Sequence, residues 1–206
     1  MGVEGARILL IRHGRHDWLA PTNRFAGRLP GVSLNAAGRE QSEALGLRLR
    51  AVQPDRILTS PMERTRETAE IVGRHVKAMV TVDDRLIETD LGPWQGMRVE
   101  DVQARYPEEW RAWRTAPTRL HLPGTEPLAA LADRMAACAF ESLALGGSTL
   151  LVSHQDPLLA LVCRLLDLPL DGMRRMDIYP GSLTILEVAR GRPVLVTLNS
   201  ATSETR

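Results

Sequence analysis

One short stretch near the N-terminus constrains the fold more than any other part of the chain. Residues 8–11 read Ile-Leu-Leu-Ile, and Arg12, His13 and Gly14 follow directly. A short apolar run of this kind is typical of a strand buried on both faces of a parallel sheet. It therefore predicts that a permanent cation and an imidazole lie at the carboxyl edge of an α/β sheet, where such folds bind their ligands.

Strand-like and helix-like segments alternate along most of the chain, which predicts an α/β fold: a three-layer sandwich with a mainly parallel central sheet. The last two strands are close together in sequence and predict a hairpin at one sheet edge. The predicted strands are 8–11, 56–59, 79–82, 149–153, 182–188 and 193–198, and the main helices are about 35–52, 61–76, 126–145 and 156–166.

The chain of 206 residues is long enough for one sizeable core, so we expect a single domain over residues 1–206. The periodic pattern breaks down at about 88–127, where only two short helical pieces are predicted. Three of the four tryptophans, Trp94, Trp110 and Trp113, lie in this segment. We interpret it as a small helical lid inserted into the domain.

Composition excludes several classes of function. The formal net charge is +1, with no Lys/Arg block, so no nucleic-acid partner is expected. No apolar run approaches the roughly 18 residues of a membrane span, so no membrane partner is expected. Cys138 and Cys163 are isolated, as in a reducing cytoplasm, and a cytoplasmic location is expected. The sequence leaves a homodimer open.

Polar side chains follow three of the predicted strands. Arg12 and His13 end the first strand, Ser60 ends the second with Arg64 one turn later, and His154 ends the fourth. Because the carboxyl ends of parallel strands share one sheet edge, two imidazoles and two guanidinium groups are predicted to converge beside helix N-termini. Such a cluster favours an anion, above all a phosphate.

Several sequence blocks follow one another along the chain: Ile11-Arg12-His13-Gly14, the run from Ser60 to Ala69, Leu86-Ile87-Glu88, Gly92-Pro93-Trp94-Gln95-Gly96 and Ser153-His154, with connecting loops at 27–31 and 34–38. In this order they resemble the histidine phosphatase (phosphoglycerate mutase-like) superfamily. The resemblance spans nearly the whole chain and implies the three-layer fold, a phosphohistidine intermediate and a small phosphorylated metabolite as substrate, with no metal and no cofactor.

The resemblance implies a role for each catalytic candidate. His13 attacks phosphorus while neutral, and Glu88 protonates the leaving oxygen and then activates water. Arg12, Arg64 and a protonated His154 hold the phosphoryl oxygens. A metal pair at His13 and His16 is the weaker alternative, because no third ligand lies nearby in sequence.

The loop after Gly14 departs from the family pattern. Leu19 stands where the family carries a phosphate-binding Asn, so either Asn23 replaces it through a shifted loop or His16 does. We favour Asn23 slightly. The candidate substrate-binding residues are Asn23, His16, Arg28, Gln155 and Trp94.

Three functions are compatible with these residues. The first is a phosphatase acting on a small phosphomonoester. The second is a phosphoglycerate-type phosphomutase, which the compact lid and short tail disfavour because such members are generally longer. The third is a non-catalytic phospholigand-binding protein, which the altered loop after Gly14 makes conceivable but which the catalytic candidates disfavour.

Overall fold

The computed structural model describes residues 2–200, which contain one six-stranded sheet in the order β3-β2-β4-β1-β5-β6. Strands β3, β2, β4 and β1 are parallel, and β5 and β6 form an antiparallel hairpin at one edge. The mainly parallel sheet and the edge hairpin are confirmed. The strands are β1 (Arg7–Arg12), β2 (Arg56–Thr59), β3 (Val80–Val82), β4 (Ser148–Ser153), β5 (Leu183–Ala189) and β6 (Arg192–Ser200).

Helices cover both faces of the sheet, as the apolar run of β1 requires. Ile8 and Leu10 belong to the hydrophobic cluster formed with α5 and α6, while Leu9 and Ile11 belong to the cluster formed with α1 and α2. Successive side chains of a strand point to opposite faces, so a continuous apolar run fills two cores at once. The helices are α1 (Ala36–Leu49), α2 (Glu63–Val76), α3 (Val99–Arg105), α4 (Pro107–Thr115), α5 (Leu128–Ala144) and α6 (Gln155–Leu165).

Capping side chains and the local backbone conformation determine where the helices begin. The main helices begin one or two residues from the predicted positions. The Asn35 side chain accepts a hydrogen bond from the Gly38 N–H at 3.0 Å and caps α1, as expected. Helix α2 begins at Glu63 instead of Pro61, because Met62 is still extended. Helix α5 begins two residues later than predicted, after the extended Pro127.

The segment predicted to be a lid, residues 88–127, contains α3 and α4 and has a hydrophobic cluster of its own. Trp94 and Val102 are completely buried there, and Phe25 from the first loop packs against them together with Trp110 and Trp113. The lid is thus anchored to the sandwich by the loop that follows β1. No helix within residues 2–200 combines the length and apolarity that crossing a bilayer requires.

Candidate active site

Three strand ends meet at one place on the carboxyl edge of the sheet. Arg12 of β1 pairs with Ser153 of β4, and the neighbouring β2 ends immediately before Ser60. This register places His13 and His154 side by side, with ring centroids 5.1 Å apart and ring planes at 62°. The structure therefore brings together two imidazoles that lie 141 residues apart in sequence.

The backbone around His13 is tightly held. The His13 N–H donates to the Ser153 carbonyl at 3.1 Å, and the Gly14 N–H donates to Thr68 Oγ1 at 3.1 Å. A Cβ atom at position 14 would lie 2.4 Å from the Gly38 carbonyl oxygen. Only glycine permits this close approach, which fixes the direction in which the chain leaves β1.

His13 has the protonation state and tautomer that a nucleophile needs. Its Nδ1 lies 2.8 Å from the Gly14 carbonyl oxygen, which only accepts hydrogen bonds, so Nδ1 carries the proton and Nε2 keeps a free lone pair. Burial, followed by the cation of Arg64, holds the pKa of His13 well below its usual value of 6.5. The imidazole is therefore neutral at physiological pH.

Two buried arginines carry N–H groups that find no acceptor within residues 2–200. Arg12 donates from Nη1 to the Ile178 carbonyl at 2.7 Å, and Arg64 donates from Nη2 to the Gly27 carbonyl at 2.8 Å. The Nε of Arg12 and the Nε and Nη1 of Arg64 stay unpaired. Burial lowers the pKa of Arg12 only to about 10, so its charge persists at neutral pH. Unpaired, buried donors on cations are costly, and an anion would satisfy them.

Glu88 is the carboxylate of the site. Its Oε1 accepts from the Thr89 N–H at 2.9 Å, while its Oε2 lies 4.0 Å from Arg64 Nη2 and 3.7 Å from His154 Nδ1. Burial raises the pKa of Glu88 to about 7, against the lowering effect of the Arg64 cation. Both protonation states are thus populated near neutral pH, as an acid/base group requires.

His154 corrects one expectation. It was predicted to be protonated, but it is 0% exposed, and burial followed by Arg64 holds its pKa well below 6.5. The ring is therefore neutral. It lies behind the cavity wall, where its Nε2 is 2.8 Å from Ser60 Oγ and its Nδ1 has no partner within residues 2–200. Sequence reasoning had assigned no role to Ser60.

The cavity in front of His13 has a volume of about 220 Å³, and His16 and Asn23 both line it. His16 is 3% exposed, with its ring centroid 5.1 Å from that of His13. The Trp18 N–H donates to His16 Nδ1 at 3.3 Å, which places the proton on Nε2. Burial lowers the pKa of His16 to about 3, so the ring is neutral. Asn23 lies at the exposed rim.

The remaining substrate-binding candidates divide into two groups. Gln155 lines the cavity, as expected. Arg28 and Trp94 do not line it, and their substrate-binding roles stay predictions. The Arg28 guanidinium is drawn to Glu126 at 2.9 Å, and its Nε donates to the Glu88 carbonyl at 2.7 Å. Trp94 is 0% exposed because it forms the centre of the lid cluster.

Sequence reasoning missed part of the cavity wall. Trp113 and Asp156 both line the cavity, although neither is among the substrate-binding residues predicted from the sequence. Arg174 connects the two, because its guanidinium lies 3.9 Å above the Trp113 ring and donates to both Asp156 oxygens at 2.7 and 2.9 Å. No local motif marks Arg174, so only the folded chain identifies it.

Comparison with known proteins identifies the family of this site. The model of the histidine phosphatase superfamily (branch 1) matches residues 8–201. The chain is a member of the histidine phosphatase superfamily. This membership confirms the resemblance inferred from the sequence.

Two curated relatives and one solved structure illustrate the range of this superfamily. Phosphoserine phosphatase 1 of Hydrogenobacter thermophilus is 31% identical over 195 residues, which cover 94% of this chain and 92% of the relative. A probable phosphoglycerate mutase of Salmonella paratyphi C is 32% identical over 184 residues, covering 88% and 84%. The native structure of mycobacterial glucosyl-3-phosphoglycerate phosphatase superposes with a TM-score of 0.88 at 29% identity, covering 96% and 100%.

Proposed function

We propose that this histidine phosphatase hydrolyses small phosphomonoesters through a covalent phosphohistidine at His13. One observation carries the proposal: unpaired, buried N–H groups of Arg12 and Arg64 surround a neutral imidazole whose Nε2 is free. The site thus combines a nucleophile with unoccupied donors for an anion, and Glu88 supplies an adjacent proton.

In the first step, His13 Nε2 attacks phosphorus and the bond from phosphorus to the ester oxygen breaks. The protonated Glu88 gives its proton to that oxygen, and the alcohol leaves. The Arg12 and Arg64 N–H groups hold the equatorial oxygens, where charge changes during transfer. The Gly14 carbonyl keeps the Nδ1 proton in place and supports the positive charge of the phosphohistidine.

In the second step, Glu88, now ionised, removes a proton from water as the water oxygen attacks phosphorus. The bond between phosphorus and Nε2 breaks, which releases inorganic phosphate and regenerates neutral His13 and protonated Glu88. Neutral His154 forms a hydrogen bond with Ser60 Oγ through Nε2, and its Nδ1 lies 3.7 Å from Glu88 Oε2 on the Glu88 side of the site. His154 therefore acts without the positive charge first expected of it.

The substrate we propose is a free phosphorylated metabolite, because a cavity of about 220 Å³ admits a small molecule. The buried free thiols of Cys138 and Cys163 support a cytoplasmic location. A single domain over residues 1–206 and a homodimer stay predictions.

The test is phosphate release from a panel of phosphomonoesters in the presence of EDTA, with samples quenched in alkali, which preserves phosphohistidine, and probed for phosphoenzyme. We expect release in EDTA, since two guanidinium groups supply the positive charge that phosphoryl transfer needs. Isomerisation of a phosphoglycerate without release would indicate the phosphomutase. Binding of inorganic phosphate with no turnover on any ester would indicate the phospholigand-binding protein.

Replacing Arg64 separates its role in catalysis from its role in stability. We expect Arg64→Met to lower kcat by about 10²–10³-fold, the effect typical of losing a group that stabilises transition-state charge. The melting temperature should change by only a few degrees, because the variant removes a fully buried cation with two unpaired nitrogens but also leaves the Gly27 carbonyl without its donor. Steady-state kinetics and calorimetry measure the two effects. A loss below tenfold would contradict the assignment.

His16 and Asn23 are distinguished by their positions in the cavity. His16 carries its free Nε2 proton beside His13, whereas Asn23 lies at the exposed rim. We expect His16→Ala to weaken inhibition by inorganic phosphate about 10- to 100-fold, the value of a hydrogen bond to a charged group. Asn23→Ala should change the inhibition constant less than about threefold. The reverse order would show that Asn23 is the loop ligand.

A further inference from the structure

We propose, on the basis of the phosphatase function above, that the substrate is the phosphate ester of a small apolar alcohol that carries a flat ring. The cavity has two chemically different parts. The part around His13 is buried and polar, whereas the outer part is lined by apolar side chains, most of them half-buried. The latter are Trp18, Leu19, Phe25, Leu91, Val99 and Trp113.

The aromatic side chains form a corner that fits a ring. Phe25 and Trp113 meet edge to face, with ring centroids 5.6 Å apart and ring planes at 83°. Both rings line the cavity, so a flat leaving group in this corner packs against aromatic surface, where ring–ring contacts are favourable. The cavity volume of about 220 Å³ is smaller than that of pockets for drug-sized ligands, so one ring is the appropriate size.

Charge disfavours a leaving group with a carboxylate. Besides the two arginines assigned to the phosphoryl group, Arg24 is the cation of the described cavity wall, and it lies at the exposed rim, where its Nη1 donates to the Gly96 carbonyl at 2.9 Å. Glu88 and Asp156 also line the cavity. A carboxylate in the outer part would thus meet apolar walls and Asp156, whose partner cation Arg174 is already engaged by both Asp156 oxygens. An amino acid or a glycerate is a poor fit.

The corner is also held rigidly before any substrate binds. The Arg174 Nε donates to the Trp113 carbonyl at 2.9 Å, and its guanidinium lies 3.9 Å above the indole ring. Asp156 fixes that guanidinium from the side with two hydrogen bonds. Because Trp113 is already ordered, little entropy is lost when a leaving group packs against it. Arg174 is therefore a positioning residue for Trp113, and we call Trp113, Asp156 and Arg174 together the leaving-group wall.

The test compares three phosphate esters of primary alcohols, which avoids the high intrinsic reactivity of aryl esters. They are benzyl phosphate, ethyl phosphate and O-phosphoserine. We expect kcat/KM for benzyl phosphate to exceed that for ethyl phosphate by about 10- to 100-fold, the value of burying a benzyl-sized side chain. O-phosphoserine should be no better than ethyl phosphate. A preference for O-phosphoserine over benzyl phosphate would overturn the proposal and leave the phosphatase function standing.

Two tryptophans of α4 provide a matched pair of variants. Trp113 lines the cavity, whereas Trp110, with its ring centroid 5.2 Å from that of Trp113, does not. Trp113→Ala should reduce the ratio of benzyl to ethyl phosphate kcat/KM at least about fivefold. Trp110→Ala should leave this ratio unchanged, even if it destabilises the lid similarly. An equal change in both variants would overturn the proposal, because it would reflect lid packing alone.

A second site covers the case in which Trp113→Ala does not fold. Val99 is half-buried in the outer wall, and Val99→Thr makes that wall more polar at nearly constant side-chain volume. We expect the benzyl preference to fall while the inhibition constant of inorganic phosphate stays unchanged. If none of the three esters nor 4-nitrophenyl phosphate is hydrolysed, the proposed phosphatase function fails, and this inference fails with it.

Discussion

His13→Ala is expected to lower kcat for phosphomonoester hydrolysis by about 10⁴-fold or more, the scale seen when a covalent nucleophile is removed. The reason is that Nε2 of His13 carries a free imidazole lone pair at the proposed phosphoryl site, and burial and Arg64 keep the ring neutral. Arg12 and Arg64 hold the phosphoryl oxygens but do not form a bond to phosphorus. Phosphate release from benzyl phosphate and 4-nitrophenyl phosphate measures the loss.

Two controls make this result specific. His121→Ala removes an exposed imidazole of the lid and should leave kcat unchanged. After alkaline quenching, which preserves phosphohistidine, the His13→Ala protein should show no phosphoenzyme where the wild type does, although the donors of Arg12 and Arg64 still bind inorganic phosphate. Residual turnover above about 1% of wild type, or a phosphoenzyme in the variant, would assign the nucleophile elsewhere.

The sequence was sufficient to predict which residues meet. The apolar run of β1 and the strand before His154 are parallel neighbours, and residues that follow such strands lie at one edge whatever their separation in sequence. Arg64 joins them because α2 starts directly after β2. These inferences depend on periodicity and on a general rule of α/β sheets, so they needed no knowledge of side-chain packing.

Protonation and side-chain direction were less predictable, because both depend on partners distant in sequence. His154 is neutral since it lies behind the cavity wall beside Arg64 and His13, a depth that no strand-end pattern encodes. Arg28 turns away from the cavity toward Glu126, 98 residues along the chain. In both cases tertiary contacts determine the charge or the direction of the side chain.

The leaving-group wall was even less predictable from the sequence than these two features. Trp113, Asp156 and Arg174 come from the lid, from the first turn of α6 and from the segment before β5. Each has an ordinary structural explanation when considered alone: a lid tryptophan, a helix-start carboxylate and a surface arginine. Their contact at 3.9 Å or less makes them one wall, and that follows only from the folded arrangement. Substrate preference is therefore the property least accessible to sequence reasoning.

Glu88→Gln is expected to lower kcat/KM for alkyl phosphates by about 10²–10⁴-fold, the range for loss of a positioned general acid. With 4-nitrophenyl phosphate the first step should be affected less, because 4-nitrophenolate leaves without being protonated. The second step still lacks its base, so phosphoenzyme should accumulate. A rapid burst of 4-nitrophenol followed by slow turnover, recorded by stopped flow, is the expected signature. A variant with wild-type steady-state rates would contradict the assignment.

The pH dependence gives an independent test of Glu88. The first step needs Glu88 protonated and His13 neutral. Wild-type kcat/KM for benzyl phosphate should therefore fall as pH rises above about 7, where Glu88 ionises. The fall on the acidic side, where His13 becomes protonated, should lie well below pH 6.5. Glu88→Gln should lose the decrease in kcat/KM on the alkaline side.

The free energy of unfolding should also depend on the ionisation of Glu88. Burial raises the pKa of Glu88 from 4.5 in the unfolded chain to about 7, so ionisation opposes folding increasingly between these values. The melting temperature of Glu88→Gln relative to wild type should therefore increase from pH 4.5 to pH 8, and a constant difference would show that Glu88 does not titrate in this range.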